Sequence, residues 1–211
     1  MKRKGILIVL SGFSGAGKGT LVKRLLQDYD NYALSISMTT RSPRPGEEHG
    51  REYFFVSKDE FEAEIEKEGL LEYANYVGNY YGTPRAYVEE QLEAGKDVIL
   101  EIEIQGALQI KKRFPEALLL FISPPSAEVL QNRLTGRGTE TADVIRKRMR
   151  RASEESEGIE NYEYVIVNDD LDECVKETHE IVQCAKHSAA RNLSFINKMK
   201  QELEDLSKGE K

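Results

Sequence analysis

Apolar residues recur along this chain in two alternating rhythms. Ile6-Leu7-Ile8-Val9-Leu10 is an unbroken apolar run ending at a Gly/Ser cluster, the pattern of a strand buried on both faces. Leu21, Val22, Leu25 and Leu26 then share one face of a helix. Residues 33–38, 98–104, 118–122 and 164–167 read as further strands. Helical stretches over 105–113, 126–134 and 142–157 lie between the last three. This alternation predicts an α/β fold with a three-layer parallel sheet core.

Residues 37–88 break the rhythm, being rich in Arg, Pro, Gly, Glu and Tyr. Strand-like pieces at 53–56 and 70–74 and a helix at 58–67 predict an inserted subdomain. Residues 135–141, Thr-Gly-Arg-Gly-Thr-Glu-Thr, form a glycine-containing loop between two helices, suited to a mobile lid. From Asp172 to about Leu206 the spacing predicts one long amphipathic helix with Val175, Ile181, Val182, Ala185, Ala189, Ile196, Met199, Leu203 and Leu206 apolar. It is expected to pack on its own domain, with a heptad partner as the alternative. The expected organisation is one domain over 1–206: a core of 1–36, 89–125 and 157–206, the insertion 37–88, a lid 126–156, and a flexible tail over 207–211.

Charge changes the picture. The 211 residues carry 30 Lys plus Arg and 37 Asp plus Glu, a net of −7, which argues against a general nucleic-acid-coating protein. Residues 1–51, however, hold nine bases and four acids, and residues 131–151 seven and two, so each island sums to +5. Two basic islands suggest a local site for something strongly anionic, against the alternative of solvated faces. Cys174 and Cys184 are too few for a disulfide framework and too far apart on a helix to be bridged, so both are expected as buried small apolar residues. No 18-residue apolar run predicts a membrane span, and Met1-Lys2-Arg3-Lys4 precedes too short an apolar run for a secretory signal. A cytoplasmic location is expected.

Directly after the first strand comes Gly12-Phe13-Ser14-Gly15-Ala16-Gly17-Lys18-Gly19-Thr20. Gly12, Gly17 and Lys18 have the spacing of a P-loop in the strand–loop–helix context the motif requires. Backbone N–H groups from Ser14 to Thr20 would cradle phosphate oxygens at a helix N-terminus, and Lys18 would reach the β- and γ-phosphates. Gly19 stands where Ser or Thr usually meets Mg²⁺, with Thr20 following. Further on, Arg41 and Arg44 flank Pro43 and precede Pro45. Two guanidiniums on this stiffened segment suit a second phosphate, with Tyr53 and Tyr81 as further donors. Glu101 and Glu103, two residues apart at the carboxyl end of an apolar strand, are costly there unless used.

These strings, together with LEYANYVGNYYGTP, VILEIEIQGA, RLTGRGTET with KRM, and VIVNDDL, run in order across residues 11–171. In them the chain resembles the guanylate kinases, P-loop nucleoside monophosphate kinases that move the γ-phosphoryl group of ATP to GMP. The resemblance implies that Arg41, Arg44, Tyr53 and Tyr81 hold the GMP phosphate, with Glu47 orienting the arginines. It implies that Glu72 accepts from guanine N1–H and the 2-amino group, and that Ser37 and Thr83 bond the O6/N7 edge. Glu103 stands where the family usually has Asp contacting guanine, and Glu101 is the candidate for water-mediated Mg²⁺ organisation with ATP. Arg137 and Arg148 match lid arginines on the ATP phosphates, and Asn168 matches a position near the adenine. Arg133 and Arg151 are either lid cations or solvated helix surface. Phe13, where the family often has Pro, bears on loop stiffness.

No Ser–His or Cys–His pair is evident, and none is needed, because a GMP phosphate is already an anionic nucleophile. Lys18, Arg41, Arg137 and Arg148 are the expected catalytic cations. GMP, with dGMP as a further acceptor, and ATP are the expected partners, with no nucleic-acid polymer or membrane; monomer and homo-oligomer both stay open. Two alternatives remain: a catalytically inactive protein-binding module of the same fold, and a monophosphate kinase with another acceptor such as AMP or UMP.

Overall fold

The computed structural model describes residues 4–76, 78–136 and 142–209. In chain order β1 (Leu7–Gly12) leads into α1 (Lys18–Asp28) and β2 (Tyr32–Leu34). The inserted part supplies β3 (Met38–Thr39), β4 (Phe54–Phe55), α2 (Lys58–Glu66), β5 (Leu70–Tyr76), β6 (Asn79–Pro84) and α3 (Arg85–Glu93). The chain then resumes strand–helix alternation with β7 (Asp97–Glu101), α4 (Ile104–Arg113), β8 (Leu118–Ser123), α5 (Ala127–Thr135), α6 (Ala142–Ser156) and β9 (Tyr164–Val167). Two helices, α7 (Leu171–Lys186) and α8 (Leu193–Ser207), end it.

Five strands form a parallel sheet in the order β2-β7-β1-β8-β9. The run read as a buried strand is its centre. Side-chain alternation sorts the strand residues between two cores. Ile8, Leu10, Ile99, Leu120 and Ile122 pack with Leu21 and Leu25 of α1 and Val175 and Val182 of α7. Val9, Val98, Leu100, Leu119 and Phe121 pack on the other face with Val88 of α3 and Ala107 and Ile110 of α4. The result is the three-layer α/β arrangement expected.

A second sheet, β4-β3-β6-β5, is mixed, with β3–β4 parallel and β3–β6 and β5–β6 antiparallel. Its helix α2 starts at a capping box in which Ser57 Oγ accepts from Glu60 N and Glu60 Oε2 accepts from Ser57 N at 2.7 Å. The sequence pattern did not predict β6 or α3. Asn79-Tyr80-Tyr81-Gly82-Thr83-Pro84 has no apolar run, and its strand character comes from pairing with β5 and β3.

Other boundaries shift. The strand expected over 33–38 divides into β2 and β3, because residues 35–37 leave one sheet for the other. The strand expected over 98–104 ends at Glu101, and Glu103 stands at the N-cap position of α4 instead. The single long tail helix is interrupted: α7 stops at Lys186, whose ammonium meets buried Asp97 at 2.6 Å. Asn192 Nδ2 then donates to the Lys186 and Ser188 carbonyls, satisfying the end of α7 before α8 begins. The apolar face of α8 does not join the core: Phe195, Met199, Leu203 and Leu206 are exposed. Cys174 is buried but Cys184 is exposed, since two residues beyond Val182 is about 200° around the helix from the packed stripe. Ser207, expected in the flexible tail, is the last residue of α8. No described helix is long and apolar enough to cross a membrane.

Candidate active site

β1 delivers the chain into a glycine-rich turn that ends at the N-terminus of α1. Gly17 occupies the N-cap at φ 93°, and a Cβ there would lie 2.4 Å from Asn168 Nδ2, so both backbone and space require glycine. Lys18 opens α1, and its ammonium turns back to donate to the Gly12 carbonyl at 2.7 Å and that of Phe13 at 3.2 Å. The ammonium thus lies against the loop that leads to the helix terminus, an arrangement that favours an anion. Gly19 and Thr20 are exposed, and a Cβ at Gly19 would meet nothing within 4 Å.

Neighbouring elements brace this turn. Asn168, buried after β9, donates Nδ2 to the Ala16 carbonyl at 2.8 Å. Arg133 of α5 donates to the Asn168 carbonyl at 2.8 Å, so it supports the loop rather than lying on solvated surface. The Phe13 ring meets Phe121 edge-on at 5.0 Å and also touches the α5–α6 cluster of Leu130, Leu134 and Ala152. From α6, Arg148 Nη1 donates to Ser14 Oγ at 3.0 Å. Arg137 and the rest of 137–141, including most of the expected lid loop, lie outside the described residues.

Beside the turn opens a cleft of about 290 Å³. Arg41, Arg44, Glu47, Tyr53 and Tyr81 line it from the inserted sheet and its loop. Ser37 and Glu72 add the polar groups expected for a base, and Glu101 and Glu103 close it from the end of β7. Thr83 stands behind Glu72, donating Oγ1 to Glu72 Oε1 at 2.7 Å. The expected acceptor residues, spread over 67 positions from Ser37 to Glu103, therefore meet in one place.

Local chemistry explains the arginine loop. Glu47 accepts from Arg41 Nη2 at 2.9 and 3.0 Å and from the Arg44 backbone N–H at 2.8 Å. One carboxylate so fixes the first guanidinium and the backbone of the second, and these contacts hold its own pKa below the ordinary carboxylate value, the Arg44 N–H foremost. Arg41 also lies 5.4 Å from the Tyr53 ring centroid.

Glu72 is 4% exposed. Burial pushes its carboxyl up to about 7, against the opposing pull of Thr83 and of Arg113, which is itself held on the Leu71 carbonyl at 2.7 Å. Gly106 of α4 makes the space for Glu72: a Cβ there would sit 2.7 Å from Glu72 Oε2. Motif spacing gave no sign of Gly106, although it lies in the EIEIQGA string. Glu101 keeps contact with solvent, yet the cleft walls raise its pKa, with Lys18 pulling the other way. Burial raises that of Glu103 too, chiefly against Arg151, whose Nη2 donates to Glu103 Oε2 at 2.7 Å. Their shared access to the cleft does not come from strand alternation, because β7 has ended before Glu103.

The sequence profile described as "Guanylate kinase" matches residues 4–185. A guanylate kinase of Halalkalibacterium halodurans is 53% identical over 192 residues, covering 91% of this chain and 94% of its own. One of Latilactobacillus sakei is 47% identical over 200 residues, covering 94% and 98%. Among solved structures, the guanylate kinase of Anaplasma phagocytophilum superimposes with a TM-score of 0.74 at 32% identity, over 92% of this chain and 94% of that one. With this architecture, this profile match and these relatives, the chain is an enzyme belonging to the guanylate kinase family.

Proposed function

We propose that the enzyme transfers the γ-phosphoryl group of ATP to GMP, and to dGMP as a second acceptor, giving ADP and GDP in purine nucleotide metabolism and GMP recycling in the cytoplasm. The observation that carries this reading is the composition of the cleft beside the P-loop. It combines a buried carboxylate with a fixed arginine pair and two tyrosines. Guanine offers two adjacent donors, N1–H and the 2-amino group, to one carboxylate, whereas adenine has an unprotonated N1 and no 2-amino group. A buried acceptor left unpaired rejects the wrong base strongly. In this reading residues 37–88 form the GMP-binding part, 126–156 the lid and the rest the core.

The phosphate of GMP needs no base to become a nucleophile, so the protein contributes alignment and charge. Arg41 and Arg44 hold the acceptor phosphate. Lys18 leaves its loop carbonyls for the transferring group, and Arg148, joined by Arg137, offers cationic donors from the lid side. Closure of lid and insertion over the pair excludes water, which limits loss of phosphoryl groups to hydrolysis.

Among the described residues no cluster of three or more His, Cys, Asp or Glu could hold a metal alone. Mg²⁺ would arrive with ATP, since this ion keeps most of its waters and takes one or two carboxylates besides phosphates. Glu101, offset by Lys18, is the carboxylate suited to hold it through water; when bound, the ion neutralises charge on the transferring phosphates. Steady-state transfer from ATP to GMP, dGMP, AMP and UMP in turn tests the reading. GMP and dGMP should serve, with AMP and UMP lower in kcat/KM by roughly 10³-fold or more. AMP or UMP matching GMP would overturn it.

A further inference from the structure

We propose that Arg151 is a positioning residue that couples the two nucleotide subsites, a proposal that rests on the ATP and GMP reading above. Arg148 and Arg151 stand one turn apart on α6, about 4.5 Å along its axis. The first reaches Ser14 in the P-loop, the second reaches Glu103 in the acceptor cleft. A single rigid helix therefore touches both the donor and the acceptor side.

The details favour a built contact over a chance surface pair. Arg151 Nε donates to Glu155 Oε1 at 2.8 Å one turn further on, which aims the guanidinium so that Nη2 meets Glu103 Oε2 at 2.7 Å. Arg151 is a third exposed. Glu103 occupies the N-cap of α4, yet its side chain makes no capping bond. Asp at that position is a favoured cap and would be drawn to its own helix. The longer Glu leaves the helix uncapped and crosses to α6. Glu103 thus joins the cleft to the lid-side helix.

Any displacement of α6 by a ligand on the Arg148 side then bears on Glu103 through Arg151, and a base seated against Glu103 bears on α6 in return. Such coupling must be reciprocal. Calorimetric titration of GMP into the full chain, with and without a saturating non-hydrolysable ATP analogue and Mg²⁺, measures it as a ratio of affinities. The wild type should bind GMP more tightly with the analogue present. Arg151→Met should shrink that ratio roughly twofold to fivefold, the span of a partly exposed ion pair. Arg150→Met, an exposed neighbour with the same charge, should leave the ratio unchanged.

Three outcomes would overturn the proposal: an unchanged ratio in Arg151→Met, an equal loss from Arg150→Met, or a GMP affinity weakened equally in both conditions. The last would make Arg151 a support of the pocket alone. A wild type that binds no GMP would instead overturn the acceptor reading itself.

Discussion

The Thr83 hydroxyl donates to Glu72 Oε1 at 2.7 Å inside the protein, with Thr83 fully buried and Glu72 nearly so. One lone pair of the carboxylate is thereby spent on the scaffold, and the group is oriented before any ligand arrives. Burial nevertheless raises its pKa to about 7, so its charge is lost at mildly acidic pH in the free enzyme.

In the proposed function, guanine recognition needs that charge. GMP affinity should therefore fall as pH drops below about 7, approaching tenfold per pH unit. The phosphate of GMP titrates in the same region, near pH 6, and comparison with Glu72→Gln cancels its effect. Calorimetric titration from pH 5.5 to 8.5 checks this; wild-type and variant affinities that stay in constant ratio would exclude Glu72 as the titrating group.

Stability runs the other way. Between the ordinary carboxylate value of 4.5 and about 7 the folded state holds a proton at Glu72 that the unfolded chain releases. This group's contribution is thus most favourable below 4.5 and declines as pH rises to 7. Glu72→Gln removes the penalty and keeps an acceptor for Thr83. It should make the ligand-free protein more stable at pH 8 by on the order of 2–3 kcal/mol, with the gain fading toward pH 5. Urea unfolding at the two pH values is the measurement.

Gly106→Ala should separate stability from binding. In the interior of α4 alanine is favoured by up to about 1 kcal/mol. Its Cβ, however, would stand 2.7 Å from Glu72 Oε2, while Thr83 holds the other oxygen. The carboxylate must move, and KM for GMP should rise by roughly tenfold or more, the cost of a charged hydrogen bond. KM for ATP and the melting temperature should change little. An unaltered KM for GMP would show that Glu72 does not meet the base.

Lys18→Ala should keep the fold, because the ammonium is partly exposed and its bonds to the Gly12 and Phe13 carbonyls lie at the loop mouth. Turnover should fall by roughly 10²–10³-fold or more, as for loss of a cation that stabilises developing charge. Near-normal turnover with confirmed ATP binding would contradict the P-loop assignment.

Much of this was legible in the sequence where the signal is local. The run Ile6–Leu10 followed by Gly12–Thr20 carries its strand, turn and helix within fifteen residues, and Arg41 to Glu47 is one short loop whose own carboxylate organises it. Glu72, Ser37 and Thr83 are legible through the family's strings, since no spacing rule joins them. What stayed hidden depends on distant partners. β6 is a strand because β3 and β5 flank it. Arg133 and Arg151 looked alike as helix cations, and contacts 35 and 48 residues away distinguish them. The apolar spacing of α8 resembles that of α7, but the capped break at Asn192 carries it away from the core.

In the proposed function the phosphoryl group passes between two nucleotides in one closed site. A rapid-quench single turnover, with enzyme in excess over γ-labelled ATP and GMP saturating, follows the label directly. Essentially all of it should appear in GDP, with inorganic phosphate negligible on the same timescale. Label released chiefly as inorganic phosphate, or left in ATP, would contradict it.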